Sequence, residues 1–265
     1  MVDEAKVRRV AEHLAKEHVR RADYKPLAGD MLPADMDEAY ACQRALVALW
    51  SAGDFGPVGG YKIALTSKPM QEMVGVDKPC GGAIFTSIMH ASPATISVSE
   101  YQHVGLEFEL AIRLGRDVPV SGEVYSADSI RPYVDAAMPA FELIEDRNAD
   151  YRTLEAMSLI AENSWCGGIV LGEPSAAWAE LDLTDTPVRL DYNGETAEAN
   201  TGAAMGNPLS ALAWIANLLA ERDQELRAGM IVMTGSTMPT RFPVPGDHVR
   251  YTVEGLGEVE LRAAD

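Results

Sequence analysis

The first fifth of the chain carries its apolar residues at helical spacing. Val10 and Leu14 lie one helical turn apart with charged side chains between them, which predicts a surface helix near the N-terminus. A loop rich in Pro, Gly and Asp follows. A second helix, capped near Asp35 or Asp37, is then expected to continue to a stop at Gly53.

From residue 94 onward, the pattern changes to short β-branched segments bounded by Gly, Pro, Asn or Asp, which predicts strands. The dipeptide Asn193-Gly194 between two alternating segments predicts a tight hairpin. Asn207 and Pro208 have the residue types of a helix cap and first turn. Further helices are expected in "SKPMQEMVGV", "YSADSIRPYVDAA" and "LEAMSLIAE".

This arrangement indicates an α+β fold. Helices and strands do not alternate regularly, and neither GxGxxG nor GxxxxGK[ST] occurs, which argues against a doubly wound nucleotide-binding fold. We expect a helical N-terminal part, residues 1–55, and a mixed β-roll or barrel-like body, residues 56–265. One single domain over residues 1–265 is the alternative.

The amino-acid composition limits the classes of binding partner and the cellular compartment that are expected for this chain. A formal net charge of −18 makes phosphate-backbone binding repulsive, so nucleic acid is excluded and small ligands neutralised by a cation are favoured. No apolar run reaches the length of a signal peptide or membrane span, so no membrane partner is expected. The three cysteines form no CxxC, which favours a reducing cytoplasm and no thiolate zinc site.

Two acidic residues interrupt the apolar segment "VGLEFELAIRL". Side chains alternate along a strand, so Glu107 and Glu109 should share one face, and a third carboxylate, Glu142, lies in "MPAFELIED". Oxygen ligands of this kind select Mg²⁺, Mn²⁺ or Ca²⁺ over zinc. The alternative is a solvent-facing sheet surface, on which alternating acids are common.

Other polar residues each leave two interpretations open. Lys62 either extends along its strand to water or acts as a partly buried proton donor whose pKa is lowered by burial and a nearby metal. Gly235 and Ser236 belong either to an anion-binding turn or to a plain strand end. Cys166 is more typical of a core residue than of a nucleophile, because the sequence shows no base paired with it.

Several of these segments occur together in one known family. The chain resembles the 2-oxopent-4-enoate hydratase and 4-oxalocrotonate decarboxylase family of the fumarylacetoacetate hydrolase superfamily. The resemblance covers nearly the whole chain and keeps the order of the motifs. It rests on "GYKIALTSKPMQEMVGV", "GLEFELAIRLGRD", "PAFELIEDR", "AENSWCGGIVLG", "GNPLSALAWIANLLA" and "AGMIVMTGS".

The resemblance implies a role for each matching residue. Glu107, Glu109 and Glu142 would bind Mg²⁺ or Mn²⁺, and Lys62 would act in acid–base chemistry or orient the substrate. A 2-oxo acid would chelate the metal, which would stabilise the enolate formed when a proton moves. The matching positions implied to contact the substrate are Thr66, Ser67, Cys80, Ser164, Gly235 and Ser236, with Asn163 beside Ser164.

Two departures from the family pattern affect the expected reaction. Cys80 stands where hydratases of the family usually carry an acid, so the group that orients water is open, with Asp77 and His90 as alternatives. The segment "HVGLEFE" lacks the Pro-Arg that many relatives place before the glutamates. The substrate therefore either lacks a second carboxylate or is anchored from elsewhere.

We therefore expect a cytoplasmic, metal-dependent lyase that hydrates a 2-hydroxy-2,4-dienoate or related 2-oxo-enoate from aromatic or ring-compound breakdown. A homo-oligomer is expected from the family's tendency to associate. Three alternatives remain: a decarboxylase of a 2-oxo-enedioate, an acylpyruvate hydrolase, and a non-catalytic paralogue that binds metal and acid. Hydrolysis is disfavoured because no HxxE segment accompanies the metal motif in the N-terminal half.

Overall fold

Two β-sheets and six α-helices make up the regular structure in a computed structural model that describes residues 2–120 and 122–265. The helices are α1 (Glu4–Val19), α2 (Met36–Ala52), α3 (Lys68–Val74), α4 (Ala127–Ile130), α5 (Ala156–Ala161) and α6 (Pro208–Ala220). The strands are β1 (Val58–Ala64), β2 (Cys80–Phe85), β3 (Met89–Ala91), β4 (Ala94–Ser97), β5 (Val104–Leu114), β6 (Val134–Glu145), β7 (Cys166–Leu171), β8 (Pro187–Tyr192), β9 (Glu195–Asn200), β10 (Ile231–Ser236), β11 (His248–Val253) and β12 (Gly257–Ala264).

The helix boundaries follow their capping residues. The carboxylate of Asp3 accepts hydrogen bonds from the backbone N–H groups of the first turn of α1. Asp35 caps α2, which ends at Gly53, and Asn207 caps α6, which has a proline in its first turn. The expected ends of α2 and the start of α6 are thus confirmed.

The expected helix in "YSADSIRPYVDAA" is confirmed over residues 127–133 and wrong from Val134 onward. Helix α4 is followed directly by a 3-10 turn, Arg131–Tyr133, and β6 begins at Val134. Pro132 lacks the N–H group needed to continue the helix, and Ala137 pairs with Ile112 of β5. Pairing with the central strand therefore outweighs the local helical pattern.

Both sheets are mixed. The larger has the order β2-β1-β10-β5-β6-β7-β3 and the smaller the order β4-β12-β11-β8-β9. The parallel pairs are β1 with β10, β3 with β7 and β4 with β12. The α+β class is confirmed, but across residues 2–120 and 122–265 the strands form two separate sheets and no closed barrel.

Strand β5 occupies the centre of the larger sheet and directs its side chains into two different environments. Phe108 packs against Phe141 of β6 and Tyr251 of β11, with ring centroids 5.9 and 6.0 Å away. It therefore points into the core between the two sheets. Because side chains alternate, Glu107 and Glu109 project from the opposite face.

Candidate metal centre and active site

Three glutamates meet on the face of the larger sheet that is turned away from the smaller one. Glu107 lies directly opposite Glu142 in the β5–β6 register, and Glu109 follows two residues along β5. One carboxylate oxygen from each residue lies within 4.8 Å of the other two. Glu109 and Glu142 are fully buried and Glu107 is partly exposed, so the interpretation as a solvent-facing acidic surface does not hold.

The oxygen atoms of this cluster are incompletely paired. Thr240 donates a hydrogen bond to Glu107 at 2.9 Å, and the N–H group of Gly235 donates to Glu109 at 2.8 Å. Oε1 of Glu109 and Oε2 of Glu142 are buried without a hydrogen-bond partner among the described residues. Unpaired buried oxygens are costly, and hard divalent cations prefer such ligands. The three side chains therefore fit a divalent metal.

The electrostatics of the cluster lead to the same conclusion. Burial, followed by the charges of Glu142 and Glu107, raises the pKa of Glu109 well above its ordinary value. Burial also raises the pKa of Glu142 to about 7, although Lys62 opposes that shift. The carboxylates cannot all be ionised at neutral pH unless positive charge lies between them.

Lys62 of β1 supplies part of that charge. Its side chain is 2% exposed, so it does not extend to water, and its Nζ lies 2.8 Å from Oε1 of Glu142. Burial lowers the pKa of Lys62, as expected from the sequence, but Glu142 and Glu107 outweigh burial and raise it. The ammonium is therefore charged and adjacent to the glutamate cluster.

A cavity of about 380 Å³ opens beside Lys62 and Glu107. Its polar lining includes Thr66 and Ser67, which lie between β1 and α3, together with Ser164 and Ser236. Its walls are mainly apolar. They are formed by residues from several distant segments, among them Met70, Ile144, Leu154, Leu159, Trp165 and Met238.

Gly235 and Ser236 support the metal centre from the end of β10. Gly235 has φ +101°, and a Cβ atom there would lie 2.8 Å from Cγ2 of Thr66. The Ser236 hydroxyl accepts a hydrogen bond from the N–H group of Phe108 and donates one to the carbonyl of Met238. These bonds hold the strand end against β5 and place the Gly235 N–H group on Glu109.

Cys80 lies behind the cavity wall, next to Ser164 and outside the set of lining residues. Its side chain is fully buried, and its Sγ is 3.5 Å from the hydroxyl oxygen of Ser164. Cys80 is not among the residues that line the cavity, and the exposed Asp77 and His90 do not line it either. None of these three side chains takes the place of the missing acid in the cavity wall.

A strained turn forms one wall. Asn163, Ser164 and Trp165 have φ values of 59°, 52° and 57°, in the left-handed region that non-glycine residues rarely adopt. The Asn163 side chain holds the turn by accepting from the N–H group of Ala83 and donating to its carbonyl, at 2.7 and 2.8 Å. The structure thus gives Asn163 a supporting role and Ser164 a place at the cavity.

Sequence reasoning missed the aromatic side chains of the cavity. Trp165 follows the Asn163–Ser164 segment, and Tyr151 lies in a short helical turn before α5. Tyr151 lies outside the motifs that carry the family resemblance, and Trp165 lies inside "AENSWCGGIVLG" but received no role from the sequence. A signal for Trp165 was its position immediately after two polar residues assigned to the site.

Comparison with known proteins agrees with the fold. The sequence model described as fumarylacetoacetate (FAA) hydrolase C-terminal matches residues 63–263. A 2-keto-4-pentenoate hydratase of Dechloromonas aromatica (strain RCB) is 32% identical over 235 residues, covering 88% of each chain. A 4-oxalocrotonate decarboxylase of Pseudomonas putida is 28% identical, covering 96% of this chain and 95% of the relative.

A solved structure is also similar over almost the whole chain. The 4-oxalocrotonate decarboxylase from Pseudomonas putida G7, complexed with magnesium and adipate, has a TM-score of 0.90. It is 25% identical in sequence, and the match covers 99% of both chains. With a family match spanning most of its length, the protein belongs to the fumarylacetoacetate hydrolase family.

Proposed function

We propose that the protein is a divalent-metal-dependent lyase that adds water to a 2-hydroxy-2,4-dienoate or a related 2-oxo-enoate. The observation that carries this proposal is the buried glutamate cluster, with unpaired oxygens, next to a buried lysine at one cavity. Several relatives named 2-keto-4-pentenoate hydratase are 31% to 32% identical to this chain. The protein is thus a hydratase-like enzyme.

Several polar residues at the cavity have a defined task in this proposal. Glu107, Glu109 and Glu142 would hold Mg²⁺ or Mn²⁺, and the bound ion would supply positive charge that stabilises an enolate of the substrate. Lys62 holds a proton at Nζ, within reach of Glu142, and delivers it to the substrate carbon skeleton. The hydroxyls of Thr66, Ser67 and Ser164 orient the substrate carboxylate.

The apolar walls favour a substrate with one carboxylate. Lys62 is the only cationic side chain among the described residues that line the cavity, and Glu142 already pairs with it. A second carboxylate at the far end of the substrate would lose its hydration without gaining a counter-charge. Hydration of a monocarboxylate is therefore favoured over decarboxylation of a 2-oxo-enedioate.

Decarboxylation is the second candidate because of the structural neighbour at TM-score 0.90, whose adipate ligand is a dicarboxylate. Hydrolysis of an acylpyruvate is disfavoured, since no histidine lines the cavity among the described residues. A non-catalytic paralogue is distinguished by its lack of turnover.

We also propose a setting for the enzyme: the cytoplasm, a homo-oligomeric assembly, and the breakdown of aromatic or ring compounds. Within the described residues, no helix has both the length and the apolar character needed to cross a bilayer. Sedimentation of the purified protein tests the assembly, and a monomer would contradict it.

The first test follows the ultraviolet absorbance of freshly generated 2-hydroxypenta-2,4-dienoate in the presence of Mg²⁺, Mn²⁺ or EDTA. We expect metal-dependent loss of absorbance and formation of the 4-hydroxy-2-oxo acid. A parallel assay with 4-oxalocrotonate measures release of CO₂. Faster turnover of the dicarboxylate would favour the decarboxylase, and no turnover of either compound would contradict an enzymatic role.

Replacing Lys62 tests its part in the reaction. Lys62→Met keeps the length of the side chain but removes its proton, and general acid–base groups contribute roughly 10²-fold or more to rate. We expect at least that loss in kcat with retained metal binding, measured by titration with Mn²⁺. The exposed Lys68 provides the control Lys68→Met. Full activity of Lys62→Met would contradict the proposed role.

A further inference from the structure

Three side chains outside the metal centre form a hydrogen-bonded path from the cavity wall to the protein surface. Tyr151 lines the cavity, and its hydroxyl donates to Oδ2 of Asp146 at 2.9 Å. The other oxygen of Asp146 lies 2.7 Å from Nδ1 of His103. The Asp146 side chain is 1% exposed and that of His103 is 41% exposed.

The path is held in place by further contacts. The N–H group of Asn148 donates to Asp146 at 3.0 Å, and the ring of Phe242 stacks on His103 with centroids 4.6 Å apart. Burial, Asp146 and Glu107 raise the pKa of Tyr151, so the tyrosine remains a neutral hydroxyl. A tyrosine oxygen whose proton is directed at a carboxylate retains lone pairs that can accept a hydrogen bond.

Water addition needs a group that takes a proton from the attacking water. The family acid is replaced by Cys80, which lies behind the wall. Among the described residues that line the cavity, Glu107 is the only carboxylate, and it belongs to the metal centre. Tyr151 is the lining residue that connects the cavity to a carboxylate outside that centre.

We propose that Tyr151 is the catalytic residue that accepts the proton of the attacking water, with Asp146 and His103 as positioning residues. This proposal rests on the proposed function. The water oxygen bonds to C4 of a 2-oxo-3-enoate, and one O–H bond of the water breaks. The water proton moves to the oxygen of Tyr151 as the tyrosine's own proton moves to Asp146.

Electrons and protons balance over the cycle. The C3–C4 π pair becomes part of the enolate, which Lys62 then protonates at C3 to yield the 4-hydroxy-2-oxo acid. The proton on Asp146 returns through Tyr151 to water in the emptied cavity, and Lys62 takes up one proton from that water, so the net change is the addition of one water molecule. Nδ1 of His103 remains hydrogen-bonded to the other oxygen of Asp146 and so keeps that carboxylate oriented towards the Tyr151 hydroxyl.

Two reactions of the same metal-loaded protein separate water addition from enolisation. Hydration of the dienoate needs both, whereas exchange of the C3 protons of 2-oxopentanoate in D₂O, followed by NMR, needs enolisation alone. For Tyr151→Phe we expect kcat for hydration to fall about 10²-fold. The rate of proton exchange should fall by about tenfold at most. The change removes one oxygen atom and keeps the ring in the wall.

The smaller sheet offers a matched control. Tyr192 also donates its hydroxyl to an aspartate, Asp247, at 2.6 Å, but neither residue lines the cavity. Tyr192→Phe should leave both rates unchanged. Equal slowing of hydration and exchange in Tyr151→Phe, or no slowing of hydration, would overturn the assignment. Exchange without hydration in the unaltered protein would instead overturn the proposed function.

His103 gives a second and independent test. Because its side chain is partly exposed, added imidazole can enter the space left by His103→Gly. Hydration should fall about tenfold in this variant and recover with imidazole, whereas Tyr151→Phe should not recover. His248→Gly is the control, since His248 pairs with Glu260 on the smaller sheet. A rate in His103→Gly that imidazole leaves unchanged would overturn the positioning role, even if Tyr151→Phe failed to fold.

Discussion

Glu109 and Glu142 are completely withdrawn from water, although carboxylates are among the side chains that are least often buried. Lys62 compensates one of them, and Gly235 donates a single hydrogen bond to the other. Neither contact satisfies every oxygen. Without metal, these buried carboxylates are expected to lower the free energy of unfolding, so the protein is less stable. A bound cation should raise that free energy again.

Glu109→Gln is predicted to weaken metal binding more than it disturbs folding. The amide occupies nearly the same volume but carries no charge, so one anionic ligand is lost. We expect the dissociation constant for Mn²⁺, measured by calorimetry, to rise by about 10²-fold or more. Glu198→Gln, at an exposed position of β9, should leave it unchanged. Unchanged Mn²⁺ affinity in Glu109→Gln would remove Glu109 from the ligand set.

Strand β10 brings its C-terminal end to the metal centre through one unusual backbone conformation. Gly235 combines a positive φ with close approach to the Thr66 side chain, and its N–H group reaches Glu109. Only glycine adopts this conformation without strain and leaves room for Thr66. The end of the strand thus couples Thr66, which lines the cavity, to Glu109 of the glutamate cluster.

Gly235→Ala should therefore lower both stability and metal affinity. Gly229 also has a positive φ, 82°, but a Cβ atom there would meet nothing within 4 Å. Each alanine is expected to reduce the free energy of unfolding by about 1–2 kcal/mol from backbone strain. Only Gly235→Ala should add a steric cost and weaken Mn²⁺ binding, as measured by denaturation and calorimetry. Equal effects of the two substitutions would contradict the steric argument.

The N-terminal helices share a core with the rest of the molecule. Val10, Leu46 and Ala161 belong to one apolar cluster that joins α1, α2 and α5. Gln43 of α2 donates hydrogen bonds to the carbonyls of Gly81 and Ile160, both at 2.8 Å. We therefore propose that residues 1–55 fold together with residues 56–265 as one domain rather than as a separate part.

The stability of the whole protein should depend on pH through the metal centre. The pKa of Glu142 is raised from 4.5 to about 7, so without metal the folded state binds more protons than the unfolded state between these values. Stability of the metal-free protein should fall as pH rises through this window. Mg²⁺ should therefore raise the melting temperature more at pH 8 than at pH 5.5.

Melting in EDTA and in Mg²⁺ measures this effect, with a Glu109→Gln, Glu142→Gln double variant as the reference for all other titrating groups. The double variant removes the two buried carboxylates and should lose the extra pH dependence. The metal-free unaltered protein and the metal-free double variant are compared at pH 5.5 and pH 8. If their melting temperatures differ by the same amount at both pH values, the titration of Glu142 is not linked to stability.

Short-range patterns in the sequence were sufficient for part of this structure. Capping residues determined where α2 begins and ends, Asn193-Gly194 determined the β8–β9 hairpin, and the two-residue period put Glu107 and Glu109 on one face. These features depend on neighbours within a few residues, so local stereochemistry was sufficient. The proposed metal-binding set of Glu107, Glu109 and Glu142 came from resemblance to a family, not from periodicity alone.

Tertiary structure alone decided how distant segments meet. The register of β5 with β6 places Glu142 opposite Glu107, and the β1–β2 pairing buries Cys80 behind the cavity. Tyr151 and His103 meet through Asp146 although 48 positions in the sequence separate them. Strand register and cavity shape arise from packing across the whole chain, and no local pattern encodes which side chains that packing brings together.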